Sequence, residues 1–196
     1  PWGNVVGELD PLGNLTSYVY DPSGIGKIEE HNYLGTTFIN QDNWNMQPAS
    51  IVSPDGSFAE MLYDAMGRIR KVAVGGDNLL DPTREYKYED NSLPNKQLAR
   101  YKVDDANHLQ TVTFFDGRGK PVQNRVERQD GGIVVSGWIS RNSWGVSSAE
   151  YEPTLSTEFD FSVPVLGGES SRSIYYDGLG RPIRTTDYTG SESAAS

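Results

Sequence analysis

Tyr176-Asp177-Gly178-Leu179-Gly180-Arg181-Pro182-Ile183 joins two strand-like runs through an acid and two glycines. An Asp at a strand end can accept hydrogen bonds from amides a few residues on, closing a turn with its own side chain. A following Gly supplies the left-handed backbone that short hairpin loops commonly need. Branched and aromatic residues on both sides read as strands. The stretch therefore predicts a β-hairpin: strand, Asp-to-Gly turn, returning strand.

The same pattern occurs three more times. It runs from Tyr20-Asp21 to Gly26-Lys27-Ile28, then through Tyr63-Asp64-Ala65-Met66-Gly67-Arg68-Ile69, then through Phe115-Asp116-Gly117-Arg118-Gly119-Lys120-Pro121-Val122. Internal repetition marks supersecondary units that bury their apolar faces only against neighbours. Turns are expected near 21–26, 64–67, 116–119 and 177–180. The basic residue after Gly is read as restarting alternation on the returning strand, and the rings before Asp as stacking on neighbouring hairpins.

Helical periodicity is almost absent, and short alternating runs bounded by Gly, Pro, Asn and Asp dominate. Strands are expected over 15–20, 58–63, 69–74, 85–88, 97–103, 110–115, 121–128, 133–139, 172–176 and 182–186. The fold class is all-β: consecutive antiparallel β-hairpins forming a curved, strip-like sheet. The Asp positions are separated by 43, 52 and 61 residues. That irregularity is read as insertions near 76–98 and 141–169 within one segment spanning 1–196.

Composition narrows the function classes. Hydrophobic residues make up 36% of the 196, so the expected core is modest, while the aliphatic and aromatic content argues against disorder. A net charge of -10 repels phosphate backbones and anionic membranes, so neither nucleic acid nor membrane insertion is expected. With no cysteine, disulfides, thiol catalysis and cysteine-ligated zinc are excluded. Pro1-Trp2-Gly3 has neither the basic nor the apolar region of a signal peptide. The strand-like start and the end at Thr189-Gly190-Ser191-Glu192-Ser193-Ala194-Ala195-Ser196 read as a piece cut from something longer.

Residues that carry chemistry elsewhere lack their usual company here. His31 and His108 belong to no His-Glu-x-x-His run and read as exposed loop residues. Glu158 and Asp160 alternate on one strand face, and Asp104-Asp105 lie in a turn, either pair being a candidate for glycoside hydrolysis. With 27 acidic residues such pairs also arise by chance. Asp77-Asn78 with Asp81, or Asp104-Asp105 with Asn107, offers oxygens for calcium without the EF-hand pattern. Gly117-Arg118-Gly119-Lys120 is a hairpin turn, not a nucleotide loop. No catalytic, cofactor-binding or metal-binding residue is assigned, and no cofactor is expected.

The four copies resemble the YD or RHS repeats of bacterial polymorphic toxins and teneurins. The order sharpens the likeness: Asp81-Pro82-Thr83-Arg84-Glu85-Tyr86-Lys87-Tyr88 and Leu93-Pro94-Asn95, then the Phe115 copy, then Val135-Ser136-Gly137-Trp138, Tyr151-Glu152-Pro153-Thr154-Leu155-Ser156 and the Tyr176 copy. This series resembles the B component of insecticidal Tc toxin complexes, in its TcdB/TcaC-like and SpvB-like N-terminal region. Residues 29–50 match poorly. Trp138 to Gly145 departs most, since a hairpin expected near Asn142 to Gly145 lacks the Tyr-Asp pair.

The resemblance implies a non-catalytic segment of a secreted bacterial toxin. It would be wall of a hollow RHS-repeat shell that encapsulates a toxic cargo for delivery. Implied partners are adjoining RHS-repeat segments of the same protein and a C-component-like partner carrying the toxic domain. Self-cleavage and cytotoxic activity belong to that partner, so no catalytic residue carries over. Two other readings stay open: a carbohydrate-binding β-domain using exposed Tyr and Trp, and a β-rich hydrolase with paired carboxylates.

Overall fold

A computed structural model describes residues 3–163 and 171–194, so part of the expected insertion near 141–169 lies outside the described residues, as do 1–2 and 195–196. Among the described residues every regular element is a β-strand and every pairing is antiparallel. The all-β, strip-like sheet of hairpins is therefore present. The chain divides into two compact units, Pro1–Tyr86 and Lys87–Ser196, with the division falling inside a strand, β8 (Arg84–Glu89). That differs from the single segment expected.

Unit 1 is built from β1 (Gly7–Leu9), β2 (Leu15–Tyr20), β3 (Lys27–Asn32), β4 (Gly35–Gln41), β5 (Pro48–Val52), β6 (Phe58–Tyr63), β7 (Ile69–Val74) and the start of β8. Each strand pairs with the next in sequence, so the strip grows hairpin by hairpin with no crossover. Most side chains are half-buried on both faces, as expected of a layer with little packed against it. Ala73 and Pro82 are its buried apolar side chains among those described.

Unit 2 is thicker. β9 (Asn95–Lys102), β10 (His108–Phe115), β11 (Pro121–Glu127) and β12 (Ile133–Ser136) pair in sequence order, and β15 (Thr154–Ser156) adds beside β12. A second sheet runs β13 (Ile139–Arg141), β14 (Ser147–Tyr151), β16 (Ser171–Tyr176), β17 (Pro182–Thr186) and β18 (Glu192–Ala194). The single strand expected over 133–139 is two strands in different sheets. Gly137, at φ 78°, takes a conformation that L-residues disfavour and ends the ladder there.

The core sits on one face of β10–β12. Val112, Phe114, Ile133 and Val135 are buried there, and Gln123 and Arg125 are buried among them. Phe114 lies opposite Gln123 and Val112 opposite Arg125 across the β10–β11 ladder. Val135 faces Arg125 from β12.

Candidate functional site: the Asp turns and the Arg125 cluster

Among the described residues seven turns headed by Asp or Asn share one construction. The residue heading the turn bonds back through its amide to a carbonyl four positions on, or five at Asp21, and the amide three positions on donates to its carbonyl. Its Oδ1 accepts the amides that would otherwise point into the loop. Asp64 takes those of Met66 and Arg68 at 2.9 Å each, and Asp116 those of Arg118 and Lys120, also at 2.9 Å. Asp177 takes those of Leu179 and Arg181 at 2.9 Å each. Asp10, Asp21 and Asp187 repeat the arrangement.

The seventh is headed by Asn142, whose Oδ1 accepts from Trp144 at 3.0 Å and Val146 at 3.3 Å. The turn needs an oxygen on a two-atom stem, which Asn supplies as well as Asp. A longer relative is headed by Asp42, which takes the amides of Trp44 and Asn45 and closes through Gln47. Asp42 lies 21 positions beyond Asp21 and 22 before Asp64; Asn142 lies 26 beyond Asp116. The irregular spacing thus arises partly from turns that lack the Tyr-Asp signature. At Asp21 the left-handed glycine is Gly24, not the Gly26 that the sequence pattern points to.

Charge follows from this geometry. Amide donors aimed at one oxygen favour the ionised carboxyl. The Lys120 amide holds Asp116, and the Arg181 amide holds Asp177, below the usual carboxylate range. At Asp64 partial burial pushes the other way, and the Arg68 amide and side chain more than offset it. The basic residue after Gly also closes on the Asp: Arg68 Nε donates to Asp64 Oδ2 at 2.8 Å and Arg181 Nε to Asp177 Oδ2 at 2.7 Å.

The residue before the turn sits at a β-bulge. Tyr20, Tyr63, Phe115 and Tyr176 pair with Lys27, Ile69, Pro121 and Pro182, while Ile28, Arg70, Val122 and Ile183 are left unpaired opposite them. Gln41 opposite Pro48 and Arg141 opposite Ser147 show the same shift. Bulges increase local twist and re-aim the side chain.

Here they aim it at the preceding hairpin. Tyr63 Oη donates to the Pro48 carbonyl at 2.8 Å, Tyr176 Oη to that of Ser147 at 2.7 Å, and Tyr20 Oη to that of Val5 at 2.9 Å. Gln41 does the same with its amide, donating to the Lys27 carbonyl at 2.8 Å. Among the described residues none of the four rings before Asp makes a ring–ring pair; at the three tyrosines a hydroxyl stitch stands in place of the expected stacking, and Phe115 has no hydroxyl to make one. Sequence reasoning missed Gln41 because an amide does not resemble a phenol, though both place a donor at the end of a planar group.

Arg125 is the second cluster. It is 1% exposed and donates from Nε to Gln123 Oε1 at 3.0 Å. Its Nη1 reaches Ser156 Oγ at 3.2 Å and the Glu158 carbonyl at 2.5 Å, and its Nη2 reaches Ser162 Oγ at 2.7 Å. Burial pulls its pKa down, and the charges of Asp160 and Glu158 act oppositely. No sequence signal marked it, because its partners other than Gln123 are 31 to 37 residues away.

The residues weighed for chemistry are dispersed. His31 lies within β3, not a loop: Nδ1 is 2.9 Å from Thr36 Oγ1 and Nε2 is 3.0 Å from Glu29 Oε2. His108 opens β10 beside a depression of about 430 Å³ that Asp104, Glu127 and Arg128 also line. Glu158 and Asp160 are not on a strand, which corrects the expected alternation. Asp104 holds the amides of Ala106 and Asn107, and Asp105 is fully exposed beside Lys102. Asn78 holds the amides of Leu80 and Asp81, and Asp77 accepts from Thr83 Oγ1. Among the described residues no three His, Asp or Glu side chains converge as a metal site would require. The most exposed rings, Tyr33, Trp44, Trp144 and Tyr188, sit on separate turns, and Phe38, Phe58 and Tyr175 are exposed on strands.

No protein-family model matches the chain, and no curated protein matches it. Solved structures do. The chain superposes on the crystal structure of TcdB2-TccC3 with a TM-score of 0.78 over 92% of its length, at 16% identity. Its fold is that of a segment of a Tc toxin. The TcdB2-TccC3-Cdc42 crystal structure gives 0.78 at 13% identity, and the Photorhabdus luminescens Tc holotoxin pore 0.73 at 13%, each again over 92% of this chain. The chain spans only 12% to 14% of those Tc toxin chains. The likeness reaches the β-hairpin strip expected from the Tyr-Asp turns, at identities that speak for the Tc-toxin fold alone.

Proposed function

We propose that this chain is a non-catalytic wall segment of a secreted bacterial toxin, part of an RHS-repeat shell that encloses a toxic cargo for delivery. The observation that carries the reading is the stitching of successive hairpins: at Tyr20, Gln41, Tyr63 and Tyr176 the side chain at the bulge donates to a carbonyl of the preceding hairpin. Such a strip extends without leaving free edges between repeats, which suits an enclosure more than a cleft. The Tc-toxin fold supports the same reading. Adjoining repeat segments and a partner carrying the toxic domain are its expected neighbours, and the assembled toxin is expected outside the cell.

The absence of cysteine makes a clean test possible. Single cysteines placed alternately along β6, at Glu60 and Met61, project to opposite faces of the sheet. In the assembled full-length toxin, a membrane-impermeant maleimide should label one position and spare the other. Equal labelling of both would contradict a wall between solvent and an enclosed space.

A second reading, carbohydrate binding, rests on Trp44, 82% exposed beside a depression of about 270 Å³ that Asp42 and Asn45 also line. Retention on immobilised glycans that is lost in Trp44→Ala would favour it over the shell.

A further inference from the structure

Residues 157–163 are held differently from the strands around them. Among the described residues they make no backbone ladder. Side chains from the sheet hold them instead. Arg125 donates to the Glu158 carbonyl, and Gln123 Nε2 to the Ser162 carbonyl at 2.7 Å. Arg125 also holds the hydroxyls of Ser156 and Ser162. The Phe161 ring lies 5.3 Å from that of Phe114 and 5.6 Å from that of Trp138, tilted against both.

Two polar side chains in the middle of an apolar face need partners, since a buried donor left unmade is costly. Gln123 and Arg125 stand two apart on β11, so both point to the face that buries Val112 and Phe114. Their donors go to main-chain carbonyls four residues apart and to small hydroxyls. The rings of Phe114 and Trp138 take the aromatic side chain between those carbonyls. Together they form a receptor for an extended polypeptide, reading its backbone at two points and one ring.

We propose that this face of β10–β12 is a polypeptide-binding groove that the chain fills with its own segment 157–163. The segment can leave without breaking a strand pairing, because only side-chain bonds and one ring hold it. An extended segment with an aromatic residue followed by Ser, from a second polypeptide, fits the vacated groove.

The test uses the full-length protein and a fluorescein-labelled peptide of the sequence 154–163. Phe161→Ala loosens the resident segment, so the peptide should bind this variant saturably. It should bind the unaltered protein roughly tenfold more weakly, because the groove is self-occupied. Adding Arg125→Met to Phe161→Ala should abolish binding. Hydrogen exchange should quicken at 157–163 in Phe161→Ala while 108–127 stays protected. A peptide carrying Glu158→Gln and Asp160→Asn should bind equally, since the groove takes carbonyls. If Phe161→Ala does not fold, Ser156→Ala/Ser162→Ala serves, removing two hydroxyl contacts and leaving the apolar face intact. No peptide binding to a folded, loosened variant, binding that survives Arg125→Met, or loss with the uncharged peptide would overturn the proposal.

Discussion

The Tyr63 hydroxyl donates to the carbonyl of Pro48, which stands opposite the bulge residue of the preceding hairpin. Tyr176 makes the same bond to Ser147, again opposite a bulge residue. One hairpin's irregularity thus receives the next hairpin's side chain. The tyrosine of the repeat is a connector between units as well as a ring for packing.

Removing the connector should cost one hydrogen bond without making a cavity. Tyr63→Phe is expected to destabilise by about 1 kcal/mol. For a unit of this size that corresponds to roughly 4–8 °C in Tm, read by calorimetry. An unchanged Tm would show that the stitch contributes nothing net.

The turns predict an order among substitutions at one site. Asn142 already does with an amide oxygen what Asp does elsewhere, so Asp177→Asn should stay close to the parent and Asp177→Ala should fall below both. Asp177→Asn still loses the ion pair to Arg181, an exposed contact of little weight. Urea midpoints of the three proteins check the order. Asp177→Ala matching the parent would show that the side chain does not hold the turn.

Acid should loosen the hairpins together. The Asp10, Asp21, Asp116, Asp177 and Asp187 carboxyls are held below their ordinary value of 3.8 by hydrogen bonds from Asn14, Ser23, Lys120, Arg181 and Thr189 respectively. A depressed folded pKa gives stability that is complete above the unfolded value and is lost as pH falls through the folded one. Stability from these groups should be level from neutrality to about pH 5 and decline below 3.8. Denaturation midpoints taken across that range check this, and a main loss between pH 7 and 5 would point to other groups.

Tyr18 is expected to titrate late for a different reason. Its hydroxyl donates to Glu8 across the β1–β2 hairpin, and that bond, with partial burial and the carboxylate charge, raises its pKa to about 12. A Glu8→Gln protein should titrate one tyrosine earlier in an ultraviolet pH titration. An identical curve would show that the pair does not persist in solution.

Core and rim should respond differently. Phe114→Ala, at a position 4% exposed, should cost about 3–5 kcal/mol. Leu12→Ala, at a turn tip 88% exposed, should change stability by less than about 0.5 kcal/mol. Equal effects in chemical denaturation would contradict a core centred on β10–β12.

How much of this was legible follows from where each signal lies in the chain. Four turns announce themselves because aromatic, acid and glycine sit within a few residues, and strands 15–20, 58–63, 69–74 and 182–186 follow from them with matching bounds. The Asp42 turn was hidden because Gln41 occupies the ring position, whereas the Asn142 turn was expected from the resemblance alone, Arg141 and Asn142 standing where the ring and the acid would be. The hydrogen-bonding capacity was kept while the residue letters changed. The break at Gly137 was masked by β-branched residues that read as one continuous strand. Arg125 was beyond reach, since a lone arginine on an alternating strand looks solvent-facing until distant carbonyls are folded over it.

These hairpins are proposed as a piece of an enclosing wall. Electron cryo-microscopy of the full-length protein assembled with its partner tests it most directly. The account predicts β1–β7 and β9–β12 within a continuous sheet that bounds an internal space occupied by the partner's toxic domain. A map in which the segment stands apart as a free domain, with both sheet faces open to bulk solvent, would contradict it.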